Sequence, residues 1–267
     1  MNRLYFGVCH YFTGNLDDRP QVGVEALKGF ARWHDATRIS FHGMLAGSDR
    51  FSRTTRLSDS SLKQLMTDLN GRVYTDVIAY AGPKADPQAT LSFATTEARN
   101  QVREVQYICA CPVGVALADL ERRGAELWRL FEPLYGISMF GRSYSRVAAE
   151  LSCVPISRID EPAQATYEAR LLRLQEVKPR FGRQTRGGTW GTYLGRELAA
   201  ELGGPESVRR GAPVAAVLDV LPGGLYLRLT RDPLAIEAPE LEAATKSLSR
   251  FLAPTTPREL VELPTQR

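Results

Sequence analysis

Long apolar runs are missing from this chain. No stretch approaches the ~18 consecutive apolar residues of a membrane-spanning helix, which excludes a helical membrane protein. Histidine is scarce, with His10, His34 and His42 alone, and their spacing matches no zinc-protease or zinc-finger pattern, so no metal is expected. The four cysteines, Cys9, Cys109, Cys111 and Cys153, form neither a disulfide framework nor a zinc pattern, and read as small buried hydrophobes of a reduced compartment. A phosphate-binding Gly-x-x-x-x-Gly-Lys, a dinucleotide-binding Gly-x-Gly-x-x-Gly after a strand and a Gly-x-Ser-x-Gly nucleophile elbow are all absent. No cofactor is therefore expected. Charge of one sign is weak too. The net charge of +4 is far from that of a nucleic-acid-binding tail, and no nucleic-acid partner is expected. The first ten residues lack the apolar core of a signal peptide, so the expected location is the cytoplasm.

What is present is an ordinary globular composition over 267 residues, enough for a substantial core. Period-two patterns predict strands over 4–12, 38–45, 73–81, 89–95, 104–111 and 137–140. Within 104–111, Cys109 and Cys111 are two apart and share a face. By the same rule Cys9 and His10 point to opposite faces of their strand, which argues against a catalytic dyad. Period-3.6 patterns predict helices over 22–33, 58–69, 115–134 and 163–177, with a last one opening at Pro239. Ser58 or Asp59 caps the second, and Asn70-Gly71 closes it. Residues 47–55 look polar and irregular. Strands joined by hairpin turns, with isolated helices between them, predict an α+β fold of mostly antiparallel sheet with packed helices. The chain reads as one domain, 1–267, with a subdomain border near 153–162.

The most clearly punctuated stretch runs from Gly187 to Tyr226. Trp190, Leu194, Leu198 and Leu202 recur every four residues, which predicts a helix that Thr189 caps and Gly203-Gly204-Pro205 stops. Val214–Leu221, the turn Pro222-Gly223-Gly224 and the alternation Leu225, Leu227, Leu229 predict a hairpin with one face on that helix.

One surface signal stands out. Lys178-Pro179-Arg180-Phe181-Gly182-Arg183-Gln184-Thr185-Arg186 holds four basic residues and no acid. Arginine forks bind carboxylates, and aromatic residues beside them anchor protein interfaces. Lys178, Arg180, Phe181, Arg183 and Arg186 are therefore the candidate partner-binding residues. The bland alternative is a solvated basic loop with the neighbouring Trp190 in the core.

The Trp190–Leu198 segment, the Leu202-Gly203-Gly204 stop and the run from Leu221 to Arg228 resemble the C-terminal signature of a family of type VI secretion immunity proteins, formerly a domain of unknown function. The likeness is strongest over 187–233. It departs from the family at Gly191-Thr192, where apolar residues are usual, and at Arg231-Asp232-Pro233. The resemblance implies a non-enzymatic protein that binds and neutralises a cognate toxic effector. Its expected partner is that protein toxin, with no membrane, and a homo-oligomer stays open. The competing classes are a hydrolase-like enzyme with an unrecognised site and a structural or adaptor protein of a secretion apparatus.

Overall fold

A strand buried along its whole length, β1 (Tyr5–Phe12), forms the spine of the molecule. In the computed structural model, the described residues are 3–14, 16–34, 38–44, 50–70, 74–83, 87–94, 102–111, 116–153, 164–181, 183–220, 222–232 and 239–261. After β1 the chain runs through α1 (Pro20–Trp33), β2 (Arg38–Met44), β3 (Arg50–Arg56), α2 (Asp59–Asn70), β4 (Tyr74–Ala81), β5 (Ala89–Ala94) and β6 (Arg103–Ala110). It continues with α3 (Leu117–Phe131), β7 (Tyr135–Gly141), α4 (Tyr144–Ser152), α5 (Gln164–Val177), β8 (Gly191–Leu194), α6 (Arg196–Glu201) and α7 (Pro205–Gly211). The hairpin β9 (Ala216–Val220) and β10 (Gly224–Arg228) precedes α8 (Pro239–Leu252) and α9 (Arg258–Val261).

Among the described residues all ten strands belong to one sheet, in the order β3-β2-β4-β5-β6-β1-β7-β8-β10-β9. Every pairing is antiparallel. The α+β expectation therefore holds. Strand alternation divides the sheet's side chains between two cores. Phe6, Val8 and Phe12 join Leu27 and Phe30 of α1, Leu65 of α2 and Leu127 and Trp128 of α3. On the other face Tyr5, Cys9 and Tyr11 join Val147 and Leu151 of α4, Leu171 of α5, Leu198 of α6 and Leu248 of α8. The result is three layers, helix on sheet on helix. Among the described residues the second core takes nothing from β2, β3, β4 or β5.

Most elements sit where periodicity places them. Ser58 Oγ accepts from the Ser61 N–H at 3.2 Å, capping α2 as expected. Gly71 and the 154–162 part of the suggested subdomain border lie outside the described residues. Strands from both sides of that segment share the sheet. Cys109 is buried and Cys111 half-buried, both against the first core, and all four cysteines are free.

Three local expectations are corrected. The helix predicted from Trp190 begins only at Arg196. Gly191–Leu194 is instead a strand, held between Tyr135–Ser138 of β7 and Leu225–Arg228 of β10. Two ladders outweigh a four-residue repeat that one helical face would share. Thr189 does not cap: its hydroxyl donates to the Gly191 carbonyl at 2.6 Å. Gly203 and Gly204, at φ 90° and 89°, do end the helix. Pro205 then opens a further helix, α7, from its first turn, where its missing N–H costs nothing. Of residues 47–55, which look irregular in sequence, 50–55 belong to the edge strand β3 (Arg50–Arg56) and 47–49 lie outside the described residues, while α4 has no counterpart in the periodicity.

Gly7 decides how closely α4 approaches the sheet. A Cβ there would lie 2.4 Å from Val147 Cγ1 and 2.8 Å from Leu151 Cδ1. Gly7→Val is expected to push α4 outward and cost about 1–3 kcal/mol. Thermal unfolding followed by circular dichroism would show the lowered midpoint, and an unchanged midpoint would contradict this packing.

Candidate interaction surface

The basic segment begins where α5 ends. A single 3-10 turn, Lys178–Arg180, starts with Pro179 in its first turn and folds the chain back onto the second core. This fold decides the fate of each candidate residue.

Lys178 turns inward. Its ammonium lies 2.6 Å from Glu104 Oε2 on β6 and donates to the Ser152 carbonyl at 3.1 Å. Burial pushes the Glu104 carboxyl up, and Lys178 and Gln106 only partly offset it. Lys178 itself is held above its usual value because Glu104 outweighs its own burial. Lys178→Met should therefore destabilise the fold by about 1–2 kcal/mol at neutral pH, less than a fully buried pair because both side chains keep about a fifth of their exposure. Urea unfolding measures this, and a neutral effect would mean the pair is merely solvated.

Phe181 is wholly buried. Its ring meets Tyr11 at 5.2 Å and Tyr135 at 6.1 Å, edge to face. It is a core residue and not a surface anchor.

The Arg186 side chain is buried as well, with 3 % of it exposed. Its backbone N–H donates to Tyr135 Oη at 3.1 Å. Its guanidinium donates to the Glu150 carbonyl at 2.6 Å and to Glu150 Oε2 at 2.8 Å. Arg170 pairs with the other Glu150 oxygen. Burial alone would raise the Glu150 carboxyl, but Arg170 and Arg186 outweigh it and hold it below the usual range.

Arg180 and Arg183 remain outside. Arg180 forms a bidentate pair with Glu259 of α9, at 2.9 and 3.0 Å. Arg183 is exposed with no side-chain partner among the described residues. The five candidates therefore divide: three tie the segment to the core, and two face solvent. Trp190, the aromatic neighbour, is buried against Phe140 and donates from Nε1 to Thr230 Oγ1 at 2.9 Å.

Beside Arg186 the segment and α8 border an open cleft of about 310 Å³, lined by Gly187, Lys246, Ser249, Arg250 and Leu260. Lys246 pairs with Glu242 at 2.8 Å, and Gly188 N–H donates to Ser249 Oγ at 2.9 Å. Arg250 is exposed and has no partner among the described residues. With Arg180 paired to Glu259, Arg183 and Arg250 leave this end of the molecule a modest positive surface.

No group of three or more His, Cys, Asp or Glu among the described residues is placed to hold a metal. His10 and Cys9 face opposite cores, as the strand alternation requires: Cys9 joins the second, and His10 bonds to α3. No described helix is long and apolar enough to cross a membrane.

The fold and this surface define a three-layer α+β protein built on one broad antiparallel sheet. The Pseudomonas aeruginosa T6SS protein PA0821 has a similar structure. The similarity covers 95 % of this chain and 73 % of that one, with a TM-score of 0.58 and 14 % sequence identity. No protein-family model matches the sequence, and no curated protein does.

Proposed function

We propose that this chain is a non-enzymatic immunity protein of a type VI secretion system, which binds a cognate effector in the cytoplasm and blocks it by occlusion. The observation that carries this reading is the fold shared with a T6SS protein over 95 % of the chain. The sequence resemblance at 187–233 motivates the immunity part of the reading, although no family model matches the chain. That stretch forms β8, α6, α7 and the β9–β10 hairpin, so it belongs to the scaffold, and specificity would reside in surfaces that the scaffold holds rigid. Arg180 and Arg183 are the members of the basic segment that reach a partner. Their contribution is peripheral, because exposed ion pairs tune association rate more than affinity.

The test is co-expression with the product of the neighbouring gene in a sensitive host. Restored growth together with a stoichiometric complex is the expected result. A toxic neighbour that this chain neither rescues nor binds would overturn the reading.

A further inference from the structure

The helices of the second layer cover β6, β1, β7, β8 and β10 but leave the same face of β2–β4 without a helix among the described residues. Ile39, Val77 and Ala79 point to the first core. Their neighbours in sequence, Arg38, Ser40, Ile78 and Tyr80, therefore belong to the opposite face, on which Ser40 is buried, Ile78 and Tyr80 are half-buried and Arg38 is exposed. Register places them in rows. Arg56 of β3 stands directly opposite Arg38 of β2, which stands opposite Tyr80 of β4. In the adjoining row Thr54 faces Ser40, with their hydroxyls 2.7 Å apart, and Ser40 faces Ile78.

Arg38 and Arg56 are both exposed, and neither has a partner among the described residues. Directly opposed residues hold their Cβ atoms about 5 Å apart, and like charges there destabilise a sheet. Edge strands often carry charge to block edge-to-edge aggregation, which accounts for Arg56 on β3. It does not account for Arg38, which lies on an inner strand paired on both sides. Two exposed arginines opposed on adjacent strands offer donors suited to a carboxylate. Ile78 and Tyr80, half-buried beside them, add apolar surface.

We propose that this open face of β2–β4, centred on Arg38 and Arg56, is the docking surface for an acidic segment of a partner protein. The inference deepens the immunity reading by assigning its effector contact, and it rests on that reading for the partner's identity. Nucleic acid fits less well. The chain's net charge is only +4, well short of a surface built for a phosphate backbone.

The test has two arms. In the first, affinity for the neighbouring-gene product is measured for the native chain, R38E/R56E and R180E/R183E, each with its fold verified by circular dichroism. R38E/R56E is expected to weaken binding by about 100-fold and to flatten its salt dependence, while R180E/R183E changes it by less than about threefold. Undiminished binding by folded R38E/R56E would overturn this proposal and leave the immunity reading standing. The second arm needs no effector. Hexaglutamate is titrated into the ¹⁵N-labelled chain, with the oligonucleotide (dT)₆ as competitor class. Amide shifts confined to β2–β4, and lost in R38E/R56E, are expected for hexaglutamate. Stronger shifts with (dT)₆, or none with hexaglutamate, would overturn the proposal. If the neighbour's product fails to bind the native chain, the immunity reading falls, and the second arm still decides this surface.

Discussion

Replacing Arg186 with leucine is expected to destabilise the protein by about 3–5 kcal/mol. Glu150 would then lose its more buried partner. It accepts from Arg186 at Oε2, and its backbone carbonyl accepts from the same guanidinium. Arg170, with 30 % of its side chain exposed, pairs with Oε1 alone, so a carboxylate with 11 % exposure is left with Oε2 unpaired. The substitution also removes the contact that holds the start of the Arg186–Trp190 connection against α4. Arg183, three residues earlier and exposed, is the control: Arg183→Ala should fall within about 0.5 kcal/mol of the native chain. Adding Glu150→Leu to Arg186→Leu should recover a substantial part of the loss, because the penalty comes from an unpaired buried charge and not from lost volume. Urea unfolding of the four proteins gives each value. Equal, small effects at 183 and 186 would show that the basic segment is a solvated loop after all.

The second large effect is acid lability set by His10. The imidazole lies wholly inside, under α3, and Nε2 donates to the Gly124 carbonyl at 2.8 Å. Trp128 and Tyr193 enclose the ring edge to face, at 5.4 and 4.6 Å. Nδ1 has no hydrogen-bond partner, so a second proton would be buried without an acceptor. Burial accordingly lowers its pKa from 6.5 to about 4, against a smaller opposing effect of the Gly124 bond. The unfolded chain binds this proton first as pH falls. Stability from His10 is therefore complete above pH 6.5, declines between 6.5 and about 4, and is not reduced further below that. Over the whole interval the loss is about 3 kcal/mol. His34, lowered to about 4 by burial and by Arg123, titrates in the same window but is only partly enclosed. Comparison with His10→Gln isolates the first residue, since glutamine keeps a donor for Gly124 and does not titrate. The native chain should lose about 3 kcal/mol more than the variant between pH 7 and pH 4. Parallel stability curves would contradict the buried, neutral imidazole.

Much of the fold was legible because it rests on local periodicity. Val105, Tyr107 and Cys109 alternate into the first core, and the hairpin turn around Pro222-Gly223 lies where its residues place it. Failures arose where pairing partners decide. Trp190, Leu194 and Leu198 mimic a helical stripe, yet Trp190 and Leu198 enter opposite cores, because the residues between them form a strand paired on both sides. The strand Arg50–Arg56 looks polar because it lies at the sheet edge, where burial leaves no alternation to read. The basic segment was visible as charge, but its burial was not. Glu150 precedes Arg186 by 36 residues and Glu104 precedes Lys178 by 74, and nothing in the local pattern announces either pairing. Arg38 and Arg56 escaped notice for the same reason: only strand register brings two isolated arginines face to face.

We propose that this chain neutralises an effector by binding it on the β2–β4 face of the sheet. Hydrogen exchange on the chain alone and on its complex with the neighbouring-gene product tests this most directly. A stoichiometric complex is expected, in which protection rises over Arg38–Met44 and Arg50–Arg56 and changes little over Lys178–Arg186. A toxic neighbour that forms no complex would contradict the claim of neutralisation, and a complex that leaves β2 and β3 unprotected would contradict the face assigned to it.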